Sequence, residues 1–354
     1  MKGGRFTFMG ELSFVGLGLG PKGISLEGLD KLRSADIVYL EYYTSPHEPK
    51  LLKELQDASG KELTIVDRAF VEDGKKILAK AAESKVVLAV LGDPMIATTH
   101  GELRARAVRS GVETKVIHAA SIAVAAASSS GLHYYKFSTT VTVTREAVNK
   151  LTQVYHALHQ NLLKGAHTLV LLECDVQSGE GVTPADAIGG LLLAEGNFKR
   201  GVVSSSTFAL VMSRVGRTDA HRAAGTFAEL ARLRFGEPPH SIVIPGKLHF
   251  TEIESISALF GLDETKVRSN SDGVLRTAQT LVPKYVAKTS RALDSIKQKL
   301  GPQYEAVVEN AELYMKDAES FLANGQDELA MLSIGYAEGL IDSLSFAGVA
   351  KIDW

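Results

Sequence analysis

Hydrophobic positions follow two regimes along the chain. Up to Leu262, short apolar runs alternate with amphipathic stretches, which predicts strands buried on both faces with helices laid over them. Beyond Leu262 only a helical period remains. The most informative run is Val86 to Leu91, VVLAVL, which stops abruptly at Gly92, Asp93 and Pro94. Thr98, Thr99 and His100 follow, and then an amphipathic pattern from Glu102 to Arg109 with Arg104, Arg106 and Arg109 on its wetter side. Strand, loop and helix are expected here, with the loop at the strand's carboxyl end. Open α/β sheets bind ligands at such loops, because strand carbonyls, loop amides and the next helix N-terminus face one crevice. Gly92 reads either as a close approach of backbone to ligand or as an ordinary turn glycine.

Taken in order, the chain opens with a strand, LSFVGLGLG, a helix over Ser25 to Ser34 capped by Ser25, and a second strand, DIVYLEYY. The glycines resemble a dinucleotide fingerprint, with Asp36 or Glu41 near the position of a ribose-binding acid. The spacing differs: Gly16, Gly18 and Gly20 are followed by Pro21, which removes an amide that a diphosphate would use. These glycines are therefore expected to keep side chains out of a crevice. A helix after Leu51, the strand ELTIVD, a helix near Lys75 to Glu83, the strand ending at Leu91 and the strand ETKVIHA complete a parallel sheet. The small-residue helix ASIAVAAASSSG, with Ser121 as its expected cap, leads to the connector GLHYYKFSTT.

The second half carries strands TTVTVT, HTLVLLECD, TFALVMSRV and SIVIPG, with helices near Asn149 to Leu163, Thr183 to Glu195 and Ala224 to Leu233. Thr183-Pro184 is a capped helix start. Phe235 to His240, FGEPPH, reads as a rigid loop that delivers His240 beside a strand. His156 and His159 share a helix face at a spacing that can bind metal, but no third ligand lies nearby and no metal is expected. KVRSNSDG, Lys266 to Gly273, reads as a linker to three helices, Val274 to Leu300, Pro302 to Leu322 and Gln326 to Phe346, with Asn324-Gly325 as a stop.

Composition narrows the picture. The 354 residues are 45% hydrophobic, ample for buried cores, and the formal net charge of -2 gives no reason to expect nucleic acid or an anionic membrane as a partner. The one cysteine, Cys174, excludes an internal disulfide framework and suits a reducing cytoplasm. No apolar run approaches the ~18 residues of a membrane-spanning helix.

GLGLG, Tyr39-Leu40-Glu41 with Tyr43-Thr44-Ser45, GDPMIATTH, HAASI, GLHYYKF, HTLVLLE, and GEPPH followed by PGKLH occur in order between Leu12 and Leu262. Together these motifs resemble the diphthine synthases, within the tetrapyrrole-methylase fold class. The chain departs from that family at Gly20-Pro21-Lys22, where an acidic stretch is usual, and at Ala120, where proline is usual. The resemblance implies an α/β, two-domain tetrapyrrole-methylase-like fold with a cofactor cleft between residues 1–131 and 132–265. Residues 266–354 then form an all-α helical bundle, similar to a small archaeal domain of unassigned function.

The implied cofactor is S-adenosylmethionine. Carried over motif by motif, its contacts are Leu19, Asp93, Ile96, Ser121, Ile122, Leu172, Val215 and His240. The implied reaction is successive methylation of the amino group of a modified histidine on translation elongation factor 2, in diphthamide synthesis, by a cytoplasmic homodimer. Tyr134 or Tyr135 could face the resulting trimethylammonium, and Lys136 or Lys247 the substrate carboxylate. No catalytic acid or triad is expected, since methyl transfer can proceed by alignment and exclusion of water. Two alternatives stay open: a precorrin-type tetrapyrrole methyltransferase, and an inactive methylase-fold protein that recruits partners through its helical tail.

Overall fold

The computed structural model describes residues 10–43, 49–175, 180–268 and 277–352. The chain divides into two compact units, Met1–Gly273 and Val274–Trp354.

The first unit begins with a doubly wound sheet. Its elements are β1 (Glu11–Gly16), α1 (Leu26–Ser34), β2 (Ile37–Glu41), α2 (Pro49–Ser59), β3 (Leu63–Val66), α3 (Arg68–Asp73), α4 (Lys75–Ala81), β4 (Lys85–Val90), α5 (His100–Arg109), β5 (Glu113–Ile117) and α6 (Ile122–Ser130). The strands are all parallel, in the order β3-β2-β4-β1-β5. Alternation explains why these runs become central strands. Leu12, Phe14, Val86 and Leu88 pack on one face with Ile77 of α4 and Leu103 of α5, while Val15, Val38, Val87 and Ala89 pack on the other with Leu32 of α1 and Leu55 of α2. Ser25 caps α1 as expected, accepting from the Gly28 N–H at 3.0 Å.

The second sheet is mixed, in the order β11-β10-β12-β7-β6. Its elements are β6 (Val141–Val143), α7 (Thr152–Leu163), β7 (Thr168–Leu172), the short pair β8 (Cys174–Asp175) and β9 (Glu180–Gly181), α8 (Pro184–Phe198), β10 (Phe208–Ser213), β11 (His221–Thr226), α9 (Phe227–Leu230), β12 (His240–Ile244), α10 (Phe250–Phe260) and α11 (Glu264–Arg268). Thr183 and Asp186 form a reciprocal capping box on α8. Three local expectations change. Ala224, placed in a helix by sequence, lies in β11, because residues 221–226 pair antiparallel with β10 and the helix shrinks to Phe227–Leu230. α6, assigned to the first lobe, buries Ala126 among Leu169, Leu210 and Ile253 of the second sheet's core. Lys266 to Arg268 is helical rather than linker, anchored by fully buried Val267; the rest of that stretch, 269–273, lies outside the described residues.

The second unit packs α12 (Thr277–Lys297), α13 (Glu305–Ala323) and α14 (Asp327–Phe346) around Val282, Leu293, Ala311, Met315, Ile334, Ala337 and Ile341. Asn324 and left-handed Gly325 terminate α13, as the sequence suggested. Among the described residues, no helix is long and apolar enough to cross a membrane.

Candidate functional site

The strand order places the β1 and β4 loops side by side. The chain leaves β1, passes over to β2 and β3, and returns with β4 between β2 and β1, so two neighbouring strands deliver their carboxyl ends to one crevice. There Gly18 and Gly92 exchange backbone hydrogen bonds, Gly92 N–H to Gly18 O at 2.8 Å and Gly18 N–H to Gly92 O at 3.2 Å. Both are left-handed, φ 71° and 72°, which only glycine adopts without strain. Gly20 has a different task. A Cβ there would stand 2.3 Å from the carbonyl oxygen of Gly216, so this glycine lets the β1 loop meet the loop after β10.

From the second sheet come the carboxyl ends of β7 and β10 and the start of β12, adjacent because Ser241 pairs with Leu171 and His240 with Ser213. Between these two sets of strand ends lies a cavity of about 260 Å³. Leu19, Asp93, Ile96, Ser121, Ile122, Leu172, Val215 and His240 all line it, although they arise from six separate motifs.

Asp93 ties the loops together. Its Oδ1 accepts the Met95 N–H at 2.9 Å, and its Oδ2 accepts the Ala119 N–H at 3.3 Å and lies 2.7 Å from His118 Nδ1. Ser121 occupies the N-cap position of α6 without the expected side-chain capping bond, and forms cavity wall instead. His240 is buried, with Nδ1 and the Ser213 hydroxyl 2.7 Å apart. Burial, reinforced by the nearby Arg214 guanidinium, lowers its pKa to about 4, so the ring is neutral at neutral pH and does not repel a cationic ligand.

Arg214, absent from the sequence-derived set, organises the loop that carries His240. Its guanidinium donates to the carbonyls of Phe235 at 3.0 Å, Glu237, and Asp219 at 3.1 Å, and its backbone N–H donates to Pro239 O at 2.9 Å. Arg214 and Ala97, two non-glycine residues with left-handed backbone (φ 52° and 56°), both line the cavity, the kind of strain that gathers where a ligand is held. Arg68, Glu173 and Arg217 complete its charged lining. Glu173 follows directly on Leu172 in HTLVLLE, but nothing in sequence distinguishes a wall residue from a solvated one.

Other expectations resolve differently. His100 of GDPMIATTH is a buried clamp: its Nδ1 lies 2.8 Å from Pro94 O, and its Nε2 lies 3.1 Å from the Glu41 carboxylate. Glu41 is thus engaged beneath the loop, and Asp36 accepts the Lys85 N–H at 2.8 Å; neither lines the cavity as a ribose acid would. Lys136 pairs with buried Glu252 and donates to Lys247 O at 2.6 Å, so its ammonium is committed away from the cavity. Tyr134, Tyr135 and Lys247 are not among the lining residues either. His156 packs its ring on Phe198 at 4.9 Å. Among the described residues, no three His, Cys, Asp or Glu side chains gather as a metal site.

Residues 11–231 match the family model described as Tetrapyrrole (Corrin/Porphyrin) Methylases. A diphthine synthase of Methanocella arvoryzae is 37% identical over 255 residues, which span 71% of this chain and 98% of the relative. The chain belongs to the diphthine synthase family of tetrapyrrole methylases. A second family member, from Methanococcoides burtonii, is 38% identical over 261 residues, 72% of this chain and 97% of the relative. A crystal structure of diphthine synthase superposes with a TM-score of 0.65 at 32% identity, over 73% of this chain and 99% of that one. Residues 284–350, within the helical unit, match a separate family described as Protein of unknown function (DUF357).

Proposed function

We propose that this diphthine synthase family member transfers methyl groups from S-adenosylmethionine to the amino group of the modified histidine of translation elongation factor 2. One observation carries the assignment of the site: eight residues chosen from scattered motifs line a single cavity. The cavity suits the cofactor chemically. Leu19, Ile96, Ile122, Leu172 and Val215 offer apolar wall to a nucleoside base, glycine-bearing loops offer backbone polar groups, and no protonated histidine opposes a sulfonium.

The cofactor, when bound, supplies an electrophilic methyl group whose departure leaves a neutral thioether. The protein's part is then to hold and align: Asp93 fixes the loops after β4 and β5, Arg214 fixes the loop before β12, and the two sheets enclose the donor between them. A leaving group that needs no proton requires no general acid, in keeping with a wall of apolar and pinned polar groups. The same reading makes the protein a cytoplasmic homodimer whose macromolecular partner is elongation factor 2.

Mass spectrometry of elongation factor 2 carrying the aminocarboxypropyl histidine, incubated with this protein and S-adenosylmethionine, tests the proposal. Mass gains in single-methyl steps are expected. No gain with cofactor binding intact would point to another acceptor, a tetrapyrrole among them. No gain and no cofactor binding would favour an inactive binding protein. Cutting the chain after Gly273, rather than near Lys266, spares Val267 in the core. The shortened protein is expected to keep methyl transfer in the same assay; loss of folding or activity would make the helical unit integral.

A further inference from the structure

The cavity lining carries an ion pair to which none of the eight motif residues contributes. Arg68, the first residue of α3, and Glu173, just after β7, bring opposite charges to its lining from the two different sheets. Their nearest charged atoms, Arg68 Nη2 and Glu173 Oε1, are 3.8 Å apart, beyond hydrogen-bonding distance. The Arg68 side chain is 55% exposed and Glu173 26%. The arginine lies over the Tyr43 ring at 5.5 Å, which supports its guanidinium without occupying the donor fork.

Glu173 is set more firmly. Its Oε2 accepts the Arg145 N–H at 2.9 Å, its backbone N–H donates to Val143 O at 3.0 Å, and its carbonyl accepts the Val182 N–H at 2.8 Å. Oε1 is left facing Arg68. The other arginines of the lining are engaged: Arg214 holds carbonyls of the 235–239 loop, and Arg217 pairs with Asp219 at 3.3 Å. Lys136 is held by Glu252.

We infer that Arg68 and Glu173 together form the subsite for the α-amino acid head group of the acceptor, Arg68 taking its carboxylate and Glu173 its amine. This rests on the reading that the acceptor is the aminocarboxypropyl group, which bears an amine and a carboxylate on one carbon. A bidentate arginine–carboxylate contact is stronger than a loose pair at 3.8 Å, so the incoming carboxylate displaces Glu173 from the guanidinium. The head group's ammonium first loses a proton to water at this solvent-exposed end of the pair, and the freed Oε1 then accepts an N–H of the neutral amine, leaving its lone pair for the methyl group. The subsite selects an amine that bears a carboxylate over a simple amine, because a ligand lacking the carboxylate would leave Arg68 paired with Glu173.

The test uses the full chain and elongation factor 2 carrying the aminocarboxypropyl histidine. Arg68→Gln is expected to raise KM for that factor ~10- to 100-fold, the loss typical of a hydrogen bond to a charged group, with the Kd for S-adenosylmethionine by calorimetry unchanged. Arg68→Lys is expected to recover part of the loss, and Glu173→Gln to lower kcat with cofactor affinity unchanged. An unaltered KM in Arg68→Gln, or a cofactor Kd that weakens in step with activity, would overturn the subsite while the methyltransferase reading stands. A wild-type protein that binds the cofactor but methylates nothing on this factor would overturn both.

Discussion

Glu252→Ala is expected to destabilise the α/β unit by about 3–5 kcal/mol, the cost of breaking a buried ionic cluster on one side. The Glu252 carboxylate is fully buried. Its Oε1 accepts from the His133 N–H at 2.8 Å and from His167 Nε2 at 2.9 Å; its Oε2 accepts from the His249 N–H at 2.8 Å and from the Lys136 ammonium. The Gly246 N–H donates to His167 Nδ1 at 3.0 Å, so the ring proton sits on Nε2 and points at the carboxylate. Alanine would leave the buried His167 Nε2–H without an acceptor and remove the carboxylate from the His133 and His249 amides, while Lys136 keeps the Lys247 carbonyl. In urea the midpoint should fall with the slope unchanged. Cofactor affinity should hold, since His167 and Gly246 adjoin the ends of β7 and β12 opposite to those lining the cavity. A midpoint within error of wild type would show that the cluster is not a stabilising anchor.

The same residue sets an acid limit. Burial by itself raises the Glu252 pKa, but His167, the backbone donors and Lys136 outweigh it and hold the carboxyl well below its ordinary 4.5. A folded-state pKa below the unfolded one means that the unfolded chain binds the extra proton. The stabilisation is therefore complete above about 4.5 and fades as pH falls below it. The stability gap between wild type and Glu252→Ala should be constant near neutrality and should shrink on acidification through that range.

Asp93→Ala is expected to weaken S-adenosylmethionine binding about 100-fold, the loss of about one charge-assisted hydrogen bond, because the ligand bears only part of the cost of the two that are removed. One carboxylate joins the Met95 and Ala119 amides, so the loops after β4 and β5 lose their common tie when it is removed. Both loops line the cavity, and the ligand would then bear the cost of ordering them. Asp93→Asn retains an acceptor for Met95 but turns an amide N–H₂ toward the Ala119 N–H, and should fall between. Calorimetric titration of the cofactor checks this, with circular dichroism to confirm the fold. An alanine variant that binds as tightly as wild type would remove Asp93 from the site.

Much of the architecture was legible because it depends on local pattern. Runs such as Val86 to Leu91 must be buried on both faces, which requires a parallel strand between helical layers. Thr183-Pro184 and Asn324-Gly325 marked helix ends through backbone chemistry that acts within a few residues. What escaped was set by partners distant in sequence. Residues 221–226 became a strand because β10 offered an edge. Ser121 did not cap α6, and Lys266 to Arg268 became helix because Val267 found a core to enter.

The site divides along the same line. Sequence alone determined which loops follow which strands, since short-range spacing and residue type carry that information, while Leu19, Asp93, Ile96, Ser121, Ile122, Leu172, Val215 and His240 were singled out by the resemblance of their motifs to the diphthine synthases. Only the tertiary structure decided that they converge on one cavity, that Arg214 serves the His240 loop, that His100 and Lys136 are engaged elsewhere, and that Arg68 meets Glu173. Those outcomes depend on the return of β4 beside β1 and on the antiparallel pairing of β12 with β7 and β10. Pairings between distant segments arise from burial and hydrogen bonding across the whole fold, and no short window of residues contains them.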